Sequence, residues 1–274
     1  MKKILSFFGA ALLVAVTLAF SGCTREHKIA VVAHTGFWKC EQGGETSNSI
    51  ASLTAAQDNA FWGSECDINL TADDVIVVAH GPKYKGMLLR ENTYADSLKL
   101  LTLKNGEPVP TLDQYLDQLV KAKTVLVLEL KKQLNEEREN LMTDKAIEAL
   151  KAHGVYDPKR VIFISFSHFI CQKIAKEHPA FTNQYLSGDI APADLKKEGI
   201  NGIDYNYKVL HEHPEWIKEA QDLGMSVNVW TIDDEEKISE MIGLGVDQIT
   251  TNEPLLTREL IRKLEKKELP VPKK

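Results

Sequence analysis

Short apolar runs alternate with longer amphipathic stretches along most of the chain. Eight of the runs, at 29–34, 64–70, 125–130, 161–166, 184–187, 202–205, 226–231 and 247–250, read as buried parallel strands. Helical spacing fills most of the gaps, at 49–59, 112–120, 135–153, 169–177, 214–223, 234–243 and 254–266. In the first of these, Ile50, Leu53 and Ala56 share one face; in the second, Tyr115, Leu116 and Leu119 do, behind the start signal Pro110-Thr111. Strand followed by helix, eight times over, predicts an α/β chain closed as a (β/α)8 TIM barrel. Periodicity is weakest in the fifth and sixth units.

One segment breaks the rhythm. A further strand at 75–79 follows the turn-forming cluster Thr71-Ala72-Asp73-Asp74, and residues 81–109 are polar and without a clear period. This is an insertion after the second strand, at the end of a barrel where sites are built. The tail 267–274 carries two prolines and lies outside the repeat.

The first residues follow another pattern. Lys2 and Lys3 precede an apolar stretch from Ile4 to Phe20, and the small residues Ser21 and Gly22 then precede Cys23. That order predicts a secretory signal over 1–22, the stretch being at the low limit for spanning a bilayer. The Ser-Gly-Cys ending resembles a bacterial lipobox, which implies a lipidated Cys23, a short linker over 23–28 and a barrel over 29–266. The expected location is the cell envelope, as a membrane-anchored lipoprotein, periplasmic or at the cell surface.

Composition narrows the classes. The 274 residues are 43% hydrophobic and 26% charged, which excludes a disordered chain, a fibre and a polytopic membrane protein. Lys and Arg number 33 against 39 Asp and Glu, a net charge of −6 with no long basic run, so nucleic acid is not the expected partner. Removing 1–22 takes away only Lys2 and Lys3, and leaves 252 residues at −8. Of the remaining cysteines, Cys40 and Cys66 either pair in an oxidising envelope or stay as buried thiols, and the odd number with Cys171 leaves at least one unpaired within the chain.

Candidate chemistry gathers at strand ends. His34 ends the first strand. Glu65 and Asp67, two apart on the second, point the same way. Glu129 ends the third, and Lys131 shares its face; His80 follows the strand at 75–79. Like charges brought together need a cation or raised pKa values. Three carboxylates suit a hard divalent cation, Mg2+ or Ca2+, better than zinc. A cation, two acid/base groups and a lysine are what phosphoester cleavage requires.

These residues also resemble a known family. His34-Thr35-Gly36, Glu65-Cys66-Asp67, His80-Gly81 and Glu129-Leu130-Lys131 stand where glycerophosphodiester phosphodiesterases have His-Arg-Gly, Glu-x-Asp, His-Asp and Glu-x-Lys. The similarity continues through Asn48-Ser49, Pro110-Thr111-Leu112, Val229-Trp230-Thr231 and the segment 245–254. It implies a TIM barrel that hydrolyses glycerophosphodiesters to an alcohol and glycerol 3-phosphate. Carried over, Glu65, Asp67 and Glu129 hold the cation, and His34 and His80 form the acid/base pair. Lys131 contacts phosphate or glycerol, and Trp230 either walls the glycerol pocket or belongs to the barrel core.

Three positions depart from the pattern. Thr35 replaces the family's phosphate-binding Arg, Gly81 replaces an Asp, and Ser47 replaces an acid before Asn48. Thr35 offers a hydroxyl where Arg would offer a charged fork. Lys39, Lys83, Lys85 and Arg90 are the nearby cations that could stand in. An active hydrolase of altered preference is the favoured reading. Its alternatives are a non-catalytic lipoprotein that binds phosphodiester or lipid headgroups, and an enzyme that cleaves by cyclisation.

Overall fold

A computed structural model describes residues 28–266. Its strands, in chain order, are β1 (Ala30–Ala33), β2 (Gly63–Leu70), β3 (Ile76–Val78), β4 (Lys83–Tyr84), β5 (Met87–Leu88), β6 (Val125–Leu130), β7 (Val161–Ser165), β8 (Thr182–Tyr185), β9 (Gly202–Asn206), β10 (Ser226–Trp230) and β11 (Gln248–Thr251). The helices are α1 (Ile50–Asp58), α2 (Leu112–Leu119), α3 (Glu136–Ala152), α4 (His168–Glu177), α5 (Pro192–Lys197), α6 (Tyr207–Glu212), α7 (Glu215–Asp222), α8 (Glu235–Leu244) and α9 (Pro254–Glu265). The signal, the lipidated Cys23 and the tail expected from the sequence lie outside the described residues. Among the described residues no helix is long and apolar enough to cross a membrane.

Eight strands run parallel in the order β1-β11-β10-β9-β8-β7-β6-β2, and β1 also pairs with β2, which closes the barrel. Strand β3 adds to the rim, antiparallel to β2. It opens the expected insertion, whose residues Val77, Leu89, Leu98, Leu103 and Val109 make a small core of their own.

The structure differs from the sequence reading chiefly in the weakest units, and adds the short hairpin β4–β5 inside the insertion. The fifth barrel strand begins at Thr182, not 184. Its Asn183 looks like a loop residue, but it is buried, with its Nδ2 donating to the Cys171 carbonyl. Helices α5 and α6, both missed by periodicity, are six residues long and too short to display a period; the start signal of α5 is Pro192 at its first turn.

Alternation along each strand sends one set of side chains outward and the other inward. Outward residues of β2, β6 and β7 pack with α2, α3 and α4 in one large core. Those of β9, β10 and β11 pack with α7, α8 and α9 in a second. The interior is divided. Val32, Val127, Ile162, Ile164 and Leu186 form an apolar side. Facing it is a polar side, where Gln184 donates to Ser226 and Gln248, and Asn228 donates to Thr250.

Local signals place the site loops. Helix α1 starts in a reciprocal cap: Ser52 N–H donates to Ser49 Oγ, and Ser49 N–H to Ser52 Oγ. Gly36 lets the loop after β1 lie directly on that cap. It has φ +82°, and a Cβ there would sit 2.3 Å from Ser52 Oγ.

Candidate active site

The three carboxylates meet at the C-terminal rim of the barrel. Glu65 and Asp67 project inward from β2, and the parallel register sets Asp67 beside Glu129 on β6. One oxygen from each lies within 4.8 Å of the others, and all three side chains are buried. Charges held this way are costly without compensation.

Compensation comes from named partners. Thr35 N–H donates to Glu65 Oε2 at 2.7 Å. Asn48 Nδ2 donates to Asp67 Oδ2 at 2.7 Å, and its Oδ1 accepts the Asp67 N–H. Lys131 Nζ stands 3.1 Å from Asp67 Oδ1 and 2.7 Å from Glu129 Oε1. Glu65 Oε1 is buried and has no hydrogen-bond partner.

The balance shows in the pKa values. Burial, then Asp67 and Glu129, push Glu65 well above the usual range. Burial, then Asp67, raise Glu129 to about 8. Burial alone would raise Asp67 too, but Lys131, His80 and Asn48 hold it below the ordinary aspartate range. Lys131 is raised: burial works against its charge, and the two carboxylates outweigh it. One lysine cannot neutralise three acids. An unpartnered buried carboxylate oxygen in an all-oxygen donor set fits a hard divalent cation.

His34 follows β1, and its Nδ1 lies 2.9 Å from Asn252 Oδ1. Trp38 Nε1 donates to the same oxygen at 2.8 Å, while Asn252 Nδ2 donates to Asp233 Oδ2. The amide is therefore oriented with its oxygen toward the imidazole. His34 must donate from Nδ1, and its Nε2 carries the lone pair. Burial is the main cause that lowers the His34 pKa. His80 is exposed, beyond β3.

Both histidines, Glu65, Glu129 and Lys131 line one cavity of about 340 Å3. Its other wall is Ile164, Phe166, Leu186 and Trp230, with Asp204. Phe166 and Trp230 meet edge to face at 5.5 Å, and Lys131 Nζ lies 5.8 Å from the Phe166 ring centroid. Trp230 Nε1 donates to the Asp204 carbonyl at 2.8 Å, which lays the indole against β9.

The structure thus brings together His34, Glu65, Asp67, His80, Glu129, Lys131 and Trp230. Thr35 is different. It is buried, its hydroxyl donates to the His34 carbonyl, and only its backbone amide serves the site. None of the suggested replacement cations lines the cavity. Lys39 is held by Glu253 at 2.8 Å and Asp233 at 3.8 Å. Cys40 and Cys66 are both free thiols. Sequence reasoning gave no site role to Asn48, Asp204, Asp233 or Asn252. Asp204 was detectable as an acid inside a buried strand; Asn48 and Asn252 act through partners far away in sequence.

Known proteins are similar to this chain in sequence and fold. Residues 34–256 match the model of the glycerophosphoryl diester phosphodiesterase family. A glycerophosphodiester phosphodiesterase of Caldanaerobacter subterraneus is 26% identical over 86% of this chain and 99% of its own. The crystal structure of a glycerophosphodiester phosphodiesterase from Parabacteroides distasonis superposes with a TM-score of 0.83 at 41% identity, covering 86% of this chain and 98% of that one. An Oleispira antarctica phosphodiesterase, solved with its product sn-glycerol-3-phosphate, shares the fold at a TM-score of 0.74 and 22% identity, over 85% of this chain and 96% of its own. With the carboxylate cluster, both histidines and the lysine on one cavity, the chain belongs to the glycerophosphoryl diester phosphodiesterase family of phosphoric diester hydrolases.

Proposed function

We propose that this protein hydrolyses glycerophosphodiesters to an alcohol and glycerol 3-phosphate, with a divalent cation, Mg2+ or Ca2+, held by Glu65, Asp67 and Glu129. The observation that carries the reading is the cavity itself, where Glu65, Glu129, a lysine and two histidines share one opening, with buried Asp67 against the two glutamates. The cation, when bound, neutralises the phosphate and polarises its oxygens. Lys131 adds a positive charge on the same wall. His34, neutral and with Nε2 free of its Asn252 partner, takes a proton from the attacking oxygen. His80 returns one to the departing alcohol. A pair of this kind contributes roughly 10²–10⁴ in rate. The product found in the Oleispira antarctica phosphodiesterase supports the glycerol 3-phosphate end of the reaction.

The test is turnover of several glycerophosphodiesters with Mg2+ or Ca2+ by the full chain, against a His34→Ala control. Equal rates for the two proteins would end this reading.

The location is proposed with it. Cys23 carries lipid and anchors the barrel in the cell envelope. The support is the order of Lys2, Lys3, the apolar stretch and Ser21-Gly22-Cys23. Membrane fractionation of wild type and Cys23→Ser checks it: the variant should leave the membrane, and an unchanged distribution would refute the anchor.

A further inference from the structure

Asp204 is the one carboxyl on the cavity that the proposed reaction leaves without a task. Around the barrel, β9 stands four strands from β2 in either direction, so Asp204 faces Glu65 and Asp67 from directly across the interior. Its side chain is 1% exposed, and neither carboxyl oxygen has a hydrogen-bond partner of normal geometry. Its register neighbour Asn228 lies alongside: one Nδ2 hydrogen goes to Thr250 Oγ1 at 2.9 Å and Oδ1 accepts the Val229 N–H, which leaves only its second N–H to lean on the Asp204 carboxyl. Burying a carboxyl with no partner is unfavourable, and a fold tolerates it most readily where a ligand supplies the missing contacts.

The surroundings define that ligand. Beside Asp204 the wall is apolar, from Ile164, Leu186, Phe166 and Trp230. Trp230 is pinned to the Asp204 carbonyl, so indole and carboxyl keep a fixed relation. A small apolar wall with one carboxyl at its base suits a short polyol: carbon atoms pack on the rings, and hydroxyls hydrogen-bond to the acid. The part of the substrate that never varies belongs at this enclosed end, leaving the variable alcohol toward the mouth.

We infer that Asp204 is a specificity-determining residue, whose carboxyl binds the hydroxyls of the glycerol moiety while the phosphate occupies the rim. This rests on the reading under Proposed function and names how that site selects its substrate class. A site built to hydrogen-bond a hydroxyl discriminates strongly against an analogue that lacks it.

The experiment compares sn-glycerol 3-phosphate with propyl phosphate, which has the same carbon count and no hydroxyls. Binding to the full chain in detergent is measured by calorimetry with Mg2+ or Ca2+ present. Hydrolysis of a glycerophosphodiester and its propyl counterpart is measured in parallel. Wild type should prefer the glycerol ligand on the order of a hundredfold. Asp204→Ala should reduce the preference to about threefold or less by weakening the glycerol ligand alone, with propyl phosphate unchanged. Asp204→Asn, of the same shape but with one acceptor oxygen, should lose about tenfold. Thermal unfolding checks that each variant is folded. An unchanged preference in either folded variant, or equal loss for both ligands, would overturn the assignment. Preferential binding without turnover would sink the hydrolytic reading and leave Asp204 in its role; turnover with a preference indifferent to Asp204 would do the reverse.

Discussion

His34 and Asn252 are 218 residues apart in the chain and hydrogen-bonded at 2.9 Å in the fold. The amide, locked by Trp38 and Asp233, decides which imidazole nitrogen carries the proton. Asn252→Ala should lower kcat/KM by about 10–100-fold, the usual cost of losing an orienting partner, while leaving cation affinity unchanged. Burial holds the His34 pKa below 6.5, so its neutral form persists to lower pH than in a free histidine. Asn252→Asp places a charge against the ring and favours the imidazolium. The acidic limb of the kcat/KM profile should move to higher pH. A limb that stays in place would remove His34 from the role of base.

Glu129 gives a linked prediction for the cation. Its pKa is about 8 in the fold and 4.5 as the reference value for the unfolded chain. Between those values the folded protein holds a proton that the unfolded chain has lost. The group's stabilising contribution is full below about 4.5 and is lost as pH rises through 8. A cation needs the carboxylate ionised and must displace that proton. The rise in Tm on adding Mg2+ or Ca2+ should therefore grow with pH over this window. Calorimetry in buffers of different ionisation heat should detect more protons released at about pH 6 than at about pH 9. Equal release at both would contradict the coupling.

Lys131 bridges Asp67 and Glu129 with its side chain 17% exposed. Removing it leaves the carboxylates facing one another. Lys131→Met should destabilise the cation-free protein by about 3 kcal/mol, as loss of one partner in a mostly buried ion pair does. Saturating divalent cation should recover most of that loss. Urea unfolding with and without the cation measures both; a loss insensitive to cation would place Lys131 in packing alone.

Thr35 sits at φ 52°, a conformation unusual for a β-branched residue, and this turn aims its amide at Glu65. Any residue but proline keeps that bond; the Thr35 side chain is buried and turned from the cavity, so Thr35→Arg must swing its longer side chain out to put a cation at the rim. A phosphate contact worth about 1.4 kcal/mol in the transition state gives about tenfold in kcat/KM. No gain would mean that Lys131 and the bound cation already neutralise the phosphate. Thr35→Pro, lacking the N–H and barred from positive φ, should weaken cation binding.

By itself the sequence determined the repeat, the insertion and the chemical inventory. Strand runs such as Val125–Leu130 are apolar because both faces of a barrel strand are covered, so their pattern survives in one dimension. Glu65 and Asp67 could be paired from their spacing because a strand's alternation is a local property. Tertiary structure decided everything that joins distant segments. Asn252 reaches His34, Asn48 clasps Asp67, and Asp204 faces β2 only because the sheet closes on itself. It also corrected Thr35, whose side chain turns away while its amide serves the site, since a backbone dihedral leaves no trace in residue identity. The polar strand at Thr182–Tyr185 was misplaced for a related reason: hydropathy cannot separate a solvated amide from a buried one whose hydrogen bonds are made by residues elsewhere in the fold.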